Sequence, residues 1–299
     1  MRTQASNREW NVRNSDGSQR RMRWALLALL LAFGVASAQA PKDAPPKDGV
    51  KPAPKATEPA VITALRSQGG LVTMEDADIV GLDLTTAKIT DASLEGLSSI
   101  TTLRRLDLSG TPITNLGIRH LKGLNKLNSL DLRNTGLTDE ALTTIGTLPA
   151  LEYLNLSGTK ISTTLAPLSK LTALRTLDLS RTPLVDTAVA GLTPLKNLQT
   201  LSLFGTPIGD VGANKIKDLS NLAVVDLGST RVGDAGIASL KGLGKLTRLV
   251  VSGTSVGDKG LAALKDAPML KLVEAIGCKV TAEGIKAFQE GRPETKVTR

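Results

Sequence analysis

Apolar residues recur along this chain in a unit of about 24 residues that is repeated nine times between Ile79 and Gly291. Counted from the first leucine of the string Leu-x-x-Leu-x-Leu, they fill positions 1, 4 and 6 and then positions 16, 19 and 22. So short a unit cannot bury these side chains alone, so neighbouring copies must stack. The period therefore predicts a solenoid with one shared aliphatic core. The copies begin at Ile79, Leu103, Leu127, Leu151, Leu174, Leu198, Leu222, Leu246 and Leu270.

Each copy carries the pattern of a short strand followed by a short helix. Positions 4 and 6 alternate with positions 3, 5 and 7, so the first pair faces the core and the other three face outward. Position 13 precedes apolar residues at helical spacing, which predicts a helix N-cap. This position is Asp or Asn in seven copies, at Asp91, Asn115, Asp139, Asp186, Asp210, Asp234 and Asp258. The predicted fold class is α/β, with a parallel sheet on one face and short helices on the other.

Position 9 is threonine in seven copies, where the chain must turn out of the strand. A threonine hydroxyl can satisfy backbone groups in such a turn. The lone cysteine, Cys278, occupies the same position in the last copy, so we interpret it as a small, half-buried turn residue. One cysteine excludes an intramolecular disulfide and a cysteine-based metal site.

These motifs resemble those of the leucine-rich repeat family. The clearest copy reads Leu-Arg-Arg-Leu-Asp-Leu-Ser-Gly-Thr-Pro-Ile-Thr from Leu103 to Thr114. It is most similar to the exported repeat proteins of planctomycetes and related bacteria, and to the ribonuclease-inhibitor-like and cysteine-containing subclasses, with Thr where those carry Cys or Asn. The resemblance covers residues 60–299. It implies a horseshoe whose concave face is the parallel sheet, and a role in binding a protein or another ligand.

The first 38 residues have the three parts of a secretory signal peptide. Arg20, Arg21 and Arg23 precede the apolar run from Ala25 to Val35, and a small-x-small site ends at Ala38, where we expect cleavage. The run is short for a membrane span, so no stable membrane insertion is expected after cleavage. Translation would begin at Met1 or at Met22, of which Met22 gives the more typical signal. These features predict export to the periplasm, the cell surface or the medium.

The remaining segments are a linker and two caps. Residues 39–59 contain six prolines and four lysines, which predicts an extended linker. Residues 60–78 begin with Val61, Ile62 and Leu65 at helical spacing and predict an N-terminal cap with a helix that ends at Gly69-Gly70. The repeats occupy residues 79–291, and residues 292–299 form a C-terminal cap or tail.

Net charge gives no support for a nucleic-acid partner. The chain has a formal charge of +9, but 31 basic and 26 acidic residues, a net +5, would remain after cleavage at Ala38. Within the repeats, lysine and arginine do not cluster among aromatic residues.

An acidic ladder runs across the predicted concave face at position 5. Carboxylates on neighbouring strands repel weakly, so nearby arginines should offset them. Such aspartates either belong to the repeat itself and pair with these arginines, or they form a polar strip for a basic partner or a cation. The ladder consists of Asp83, Asp107, Asp131, Asn155, Asp178, Ser202, Asp226, Val250 and Glu274. The arginines are Arg104, Arg105, Arg133, Arg175, Arg181 and Arg248.

Two aromatic residues also fall on this face, Tyr153 at position 3 and Phe204 at position 7. Aromatic side chains surrounded by arginine are typical of binding hot spots. They either contact a partner or pack against an adjacent strand or loop. Phe288, in contrast, occupies a core position of the last helix. The candidate partner-binding residues are Tyr153, Phe204, Arg105, Arg133, Arg248, Asp107, Asp131, Asp178 and Asp226.

The motifs do not indicate an enzyme. The single histidine, His120, falls at a solvent-facing helix position, and no phosphate-binding loop or metal-ligand spacing is present in the sequence. We therefore predict a monomeric, noncatalytic binding module without cofactor or metal, whose partner is a protein. The alternative is a structural component of the cell envelope that binds glycan or other copies of itself.

Overall fold

The computed structural model describes residues 58–299 of the chain. The predicted signal peptide and residues 39–57 of the predicted linker lie outside the described residues.

The described residues form one sheet of eleven strands that follow each other in chain order. The first two strands are antiparallel, and every later pair is parallel. This is the predicted solenoid sheet, with one strand added at each end. The strands are β1 (Leu71–Glu75), β2 (Asp78–Asp83), β3 (Arg105–Asp107), β4 (Ser129–Asp131), β5 (Tyr153–Asn155), β6 (Thr176–Asp178), β7 (Thr200–Ser202), β8 (Val224–Asp226), β9 (Arg248–Val250), β10 (Leu272–Glu274) and β11 (Lys296–Thr298).

The strands are in register, so equivalent positions of successive copies lie side by side. Leu106, for example, pairs with Leu130, which in turn pairs with Leu154. These position-4 side chains are at most 2% exposed, and Phe288 is buried as predicted. Each fully buried leucine contributes about 1.5–3 kcal/mol, so the stacked leucines are the main stabilising feature of the fold.

Short helices follow the strands in the copies, as predicted. The first α-helix, α1, precedes the sheet, and the chain also forms several 3₁₀ helices. The α-helices are α1 (Ala60–Ser67), α2 (Asn115–Ile118), α3 (Ala141–Ile145), α4 (Asp210–Lys215), α5 (Asp234–Ala238), α6 (Asp258–Ala263) and α7 (Ala282–Gly291). The 3₁₀ helices are Asp91–Leu94, Leu97–Ser99, Arg119–Leu121, Ala166–Lys170, Asp186–Leu192, Ser239–Gly242 and Leu264–Asp266. None of the helices in residues 58–299 has the length and hydropathy of a membrane span.

The prediction that the position-13 residues cap their own helices is wrong. Asp210 is instead the first residue of α4, after an extended Gly209. Its carboxylate reaches the next copy and accepts the Gly233 N–H at 2.7 Å. We call such a bond an inter-copy staple. The staples, at 2.7–3.1 Å, join Asp91 to Thr114, Asn115 to Thr138, Asp139 to Ser162, Asp186 to Gly209, Asp210 to Gly233, Asp234 to Gly257 and Asp258 to Thr281.

One junction between copies differs from its neighbours. Where the copy that begins at Leu151 meets the copy that begins at Leu174, the Val185 N–H donates to the Ser162 carbonyl at 2.9 Å. A backbone carbonyl thus takes the place of the side-chain oxygen, and the described residues show no staple at this junction.

The position-9 threonines act as predicted. All seven hydroxyls donate to the carbonyl three residues earlier, at 2.5–2.7 Å. Cys278, in the same position, is half-buried and donates its S–H to the Val251 carbonyl at 2.9 Å. The turn role inferred for both residue types is confirmed.

Both ends of the stack are covered. At the N-terminal end, α1 buries Ile62 and Leu65, ends at Ser67 rather than at Gly69, and is followed by strand β1, which the sequence did not predict. At the C-terminal end, the Arg292 side chain is 9% exposed. Its guanidinium donates to backbone carbonyls of the last two copies, among them those of Ala267 and Leu270.

Candidate functional site

The outward side chains at positions 3, 5 and 7 form the side of the sheet opposite the core. We call this side the open face; it corresponds to the predicted concave face. All nine candidate partner-binding residues lie on it, because each occupies one of these three positions.

The acidic ladder on the open face is more buried than expected. Asp107 and Asp131 are each 9% exposed, and Asn155 is 4% exposed. In six copies the position-5 oxygen accepts the backbone N–H two residues later, at 2.8–3.1 Å. The side chain therefore closes a turn at the end of its strand. This geometry favours the interpretation that the aspartates belong to the repeat itself. The six are Asp83, Asp107, Asp131, Asn155, Asp178 and Asp226.

The expectation that arginines pair with the ladder aspartates is wrong except at one position. Among the described residues, only Arg133 forms an ion pair with a ladder aspartate, Asp131, at 3.2 Å. Four other arginines of the face pair with glutamates, one of which, Glu274, is itself a ladder residue. These pairs join Arg104 and Arg105 to Glu75, Arg175 to Glu152, and Arg248 to Glu274. Exposed pairs of this kind add about 0–1 kcal/mol each, so these arginines are available for a partner.

Tyr153 lies half-buried near the middle of the face. Burial, together with the negative charge of Asp131, raises the pKa of its hydroxyl to about 12. Its hydroxyl oxygen accepts a hydrogen bond from Asn155 Nδ2 at 3.4 Å. Tyr153 is therefore a neutral side chain that is packed against the sheet and partly open to solvent.

Phe204 is also half-buried, between two neighbouring copies. The Arg181 guanidinium carbon lies 5.8 Å from the ring centroid, which is a cation–π distance. On the other side the ring covers Gly228, where a Cβ atom would lie only 3.0 Å from it. Phe204 thus packs against adjacent copies, as one of the two interpretations expected, while part of the ring stays exposed. Arg181 itself has a φ of 57°, a left-handed conformation that is unusual for arginine.

The open face has an apolar region that is not among the predicted contact residues. Val224, Val250 and Leu272 are half-exposed at positions 3 or 5, and Ile276 is 58% exposed at position 7. Together with Phe204 they form what we call the C-terminal patch. In the copies from Ile79 to Leu174, the same positions hold Tyr153 and otherwise only glycine or polar residues. The signal was present in the sequence, because Val250 interrupts the acidic ladder.

Within residues 58–299, the side chains do not assemble a metal centre. No group of three or more His, Cys, Asp or Glu side chains in this range can hold a metal ion. Asp226 is the ladder residue whose pKa is raised, because burial outweighs the hydrogen bond from the Gly228 N–H.

The family described as Leucine rich repeat matches the chain at residues 101–161 and 125–184, and again at residues 195–217 and 245–265. These segments coincide with the stacked strands and helices. The copies are leucine-rich repeats. No curated protein matches the chain.

Solved leucine-rich repeat structures share the fold. An internalin (inlF) from Listeria monocytogenes is similar with a TM-score of 0.57 and 20% identity, over 74% of this chain and 57% of the internalin. Internalin C2 from the same species gives 0.54 and 27% identity, over 80% of this chain and 92% of that chain. A plant peptide hormone receptor, RGFR1 in complex with RGF2, gives 0.53 and 18%, over 73% of this chain and 35% of the receptor. This chain thus spans little more than half of inlF and about a third of the receptor.

Proposed function

We propose that this chain is an exported, noncatalytic leucine-rich repeat protein that binds a protein partner through its open face, in the periplasm or at the cell surface. We further propose that it acts as a monomer and that its repeats are of the exported planctomycete type, close to the ribonuclease-inhibitor-like subclass. Leucine-rich repeat domains are typical protein-interaction modules.

The observation that carries this proposal is the composition of the open face. Positions 3, 5 and 7 point away from the leucine core, yet they hold two half-exposed aromatic residues and several exposed arginines. Aromatic and arginine side chains dominate the energy of protein interfaces. The similarity to a plant receptor whose structure contains RGF2 is compatible with a protein or peptide partner.

Export can be tested on the purified protein. Both tryptophans, Trp10 and Trp24, precede the proposed cleavage site at Ala38, so the mature protein should contain none. We expect its intact mass to match a chain that begins at Gln39 and its spectrum to lack tryptophan fluorescence. A mature protein that retains Trp24 would contradict the proposed processing.

Partner binding can be tested by photo-cross-linking in the source cells. A photoreactive phenylalanine analogue replaces Phe204 in one variant and Lys122, an exposed residue after a helix, in the control. We expect a defined protein adduct from position 204 and none from position 122. Adducts of equal yield from both sites would contradict binding through the open face, and no adduct from position 204 would exclude a contact at Phe204.

The variant with the photoreactive residue at position 204 also tests the alternative that the chain is a structural component of the envelope. A glycan-binding or self-associating envelope component should sediment with isolated cell wall or form adducts with its own chain. The open face offers few aromatic rings for sugar stacking, which favours a protein partner.

A further inference from the structure

The C-terminal patch spans four neighbouring copies of the open face, and charged residues separate its apolar side chains. Arg248 lies between Val224 and Leu272, and Asp226 and Glu274 flank Val250. The strand register places Asp226 between Ser202 and Val250, and Val250 between Asp226 and Glu274. Acidic side chains in this half therefore occupy alternate strands, and uncharged side chains lie between them. Val250 is at the centre, with Val224 and Leu272 diagonal to it on the two flanking strands.

Two carboxylates in this region differ in how their charge is compensated. Glu274 forms a 2.7 Å ion pair with Arg248, so its charge is largely satisfied within the face. The Asp226 carboxylate accepts the Gly228 N–H at 2.9 Å but forms no ion pair within the described part of the chain. Its pKa is raised by burial, and the charges of Asp178 and Glu274 raise it further, although Arg248 acts in the opposite direction.

This arrangement restricts what can cover the patch. Phe204 and Asp226 both approach Gly228, since a Cβ atom there would lie 3.0 Å from the ring and 3.2 Å from Asp226 Oδ1. A partner that buries the ring and Val250 must therefore also remove water from this carboxylate. A wholly apolar partner would leave a buried charge uncompensated, which is strongly unfavourable. A partner cation next to an apolar side chain matches both features.

We propose that the C-terminal patch is where the partner binds, and that the contacting segment of the partner protein places an apolar side chain on Val250 and a lysine or arginine on Asp226. This inference rests on the proposed function, because it specifies where on the open face the partner lies and what chemistry the partner presents.

Residues that other copies carry at the same repeat position indicate which substitutions should preserve the fold. Val250→Asp installs the residue that five other copies carry at position 5. Asp226→Asn keeps the oxygen that accepts the backbone N–H, as Asn155 does for Ser157 at 2.9 Å in its own copy. The matched control is Asn155→Asp, which creates the same residue as Val250→Asp at the same repeat position, outside the patch.

The probe is a phage-displayed library of random linear peptides, selected on the immobilised full chain. We expect the enriched peptides to pair an apolar residue with a lysine or arginine. Synthetic versions should bind Val250→Asp about tenfold or more weakly, and Asn155→Asp within about twofold of the unmodified chain. Replacing the peptide's lysine by norleucine should weaken binding to the unmodified chain about tenfold and have little effect on Asp226→Asn.

Several results would overturn the inference: no enrichment, enriched peptides without a cation, or equal binding to Val250→Asp. Another outcome is that the peptides bind normally to Val250→Asp but no longer bind Arg105→Ala. This result would leave the proposed function intact and place the site elsewhere on the open face. Failure of both the selection and the cross-linking at position 204 would remove the proposed function as well. If Val250→Asp does not fold, the lysine-to-norleucine comparison on Asp226→Asn decides alone.

Discussion

Gly236 provides a direct test of the inter-copy staples. It is buried in α5, and a Cβ atom there would lie 2.5 Å from Asp210 Oδ1, 2.9 Å from Val232 Cγ1 and 3.1 Å from Asp210 Cα. The same oxygen accepts the Gly233 N–H at 2.7 Å. A methyl group at position 236 must therefore displace the staple and push two adjacent copies apart.

The expected loss can be worked from these contacts. A lost hydrogen bond costs about 1 kcal/mol, and one extra methyl in a tightly packed site costs about 1–3 kcal/mol. The higher helix propensity of alanine offsets this loss by about 0.5–1 kcal/mol. We expect Gly236→Ala to lower the free energy of unfolding by about 1–3 kcal/mol, measured by urea denaturation followed by circular dichroism.

The matched control is Gly244→Ala. Gly244 is exposed, its backbone is not left-handed, and no atom lies within 4 Å of a Cβ built there. This variant should be neutral or more stable by about 0.4–1 kcal/mol. Equal unfolding curves for the two variants would refute the staple as a packing constraint. In a double-mutant cycle, Asp210→Ala should recover part of the loss caused by Gly236→Ala.

Three further changes test the caps and the titrating groups. Arg292→Met keeps a long side chain but removes the donors to the last two copies, and should cost about 2–3 kcal/mol in urea unfolding; an unchanged midpoint would contradict the capping role. Hydrogen bonds from the backbone N–H and the hydroxyl of Thr281 hold the pKa of Asp258 below 3.8, so its stabilisation is complete above that value and is lost as pH falls through the folded pKa. Melting temperatures of Asp258→Asn should therefore fall less on acidification than those of the unmodified protein, and parallel curves would argue against this. Tyr153 is the only tyrosine, so phenolate absorbance should rise with a midpoint at a pKa of about 12 in the folded protein and near 10.0 in denaturant. Its contribution to stability should be complete below pH 10.0 and disappear as pH approaches about 12; a folded midpoint near 10.0 would show an unburied ring.

The repeat period was sufficient to predict the sheet, its register and the residues of the core. Leucines at a fixed spacing can be buried together only if their strands lie side by side, and Leu106, Leu130 and Leu154 do so. The threonine turns followed from local chemistry, because each hydroxyl bonds three residues back within its own copy.

Features that depend on contacts between copies were harder to predict. Asp210 stands just before apolar residues at helical spacing, so the local pattern favoured an N-cap, but the residue begins the helix and its bond goes to Gly233 in the next copy. The signal was the glycine at position 15 of that copy, Gly236, whose missing side chain makes room for the carboxylate. Strand β1 was missed for a different reason: it lies before the first copy, where no period applies.

The candidate site was predicted only in part. Position numbers placed the aromatic residues and the ladder on the correct side of the sheet. They did not show that Asp107 would be 9% exposed or that four of the arginines would form ion pairs with glutamates. Both features depend on side-chain length and turn geometry in three dimensions. Val250 was visible in the sequence as a break in the ladder. That it belongs to an apolar patch depends on which exposed side chains surround it in the structure.

The junction without a side-chain staple, between Ser162 and Val185, has a consequence for how the molecule comes apart. In a linear array, each interface contributes its own share of cooperativity, and this junction lacks the side-chain bond that joins the other neighbouring copies. On heating or pulling, we expect the array to separate here first, into one block that carries Tyr153 and a second that carries all five patch residues. The half that carries the proposed binding patch would then keep its shape after the other half has melted.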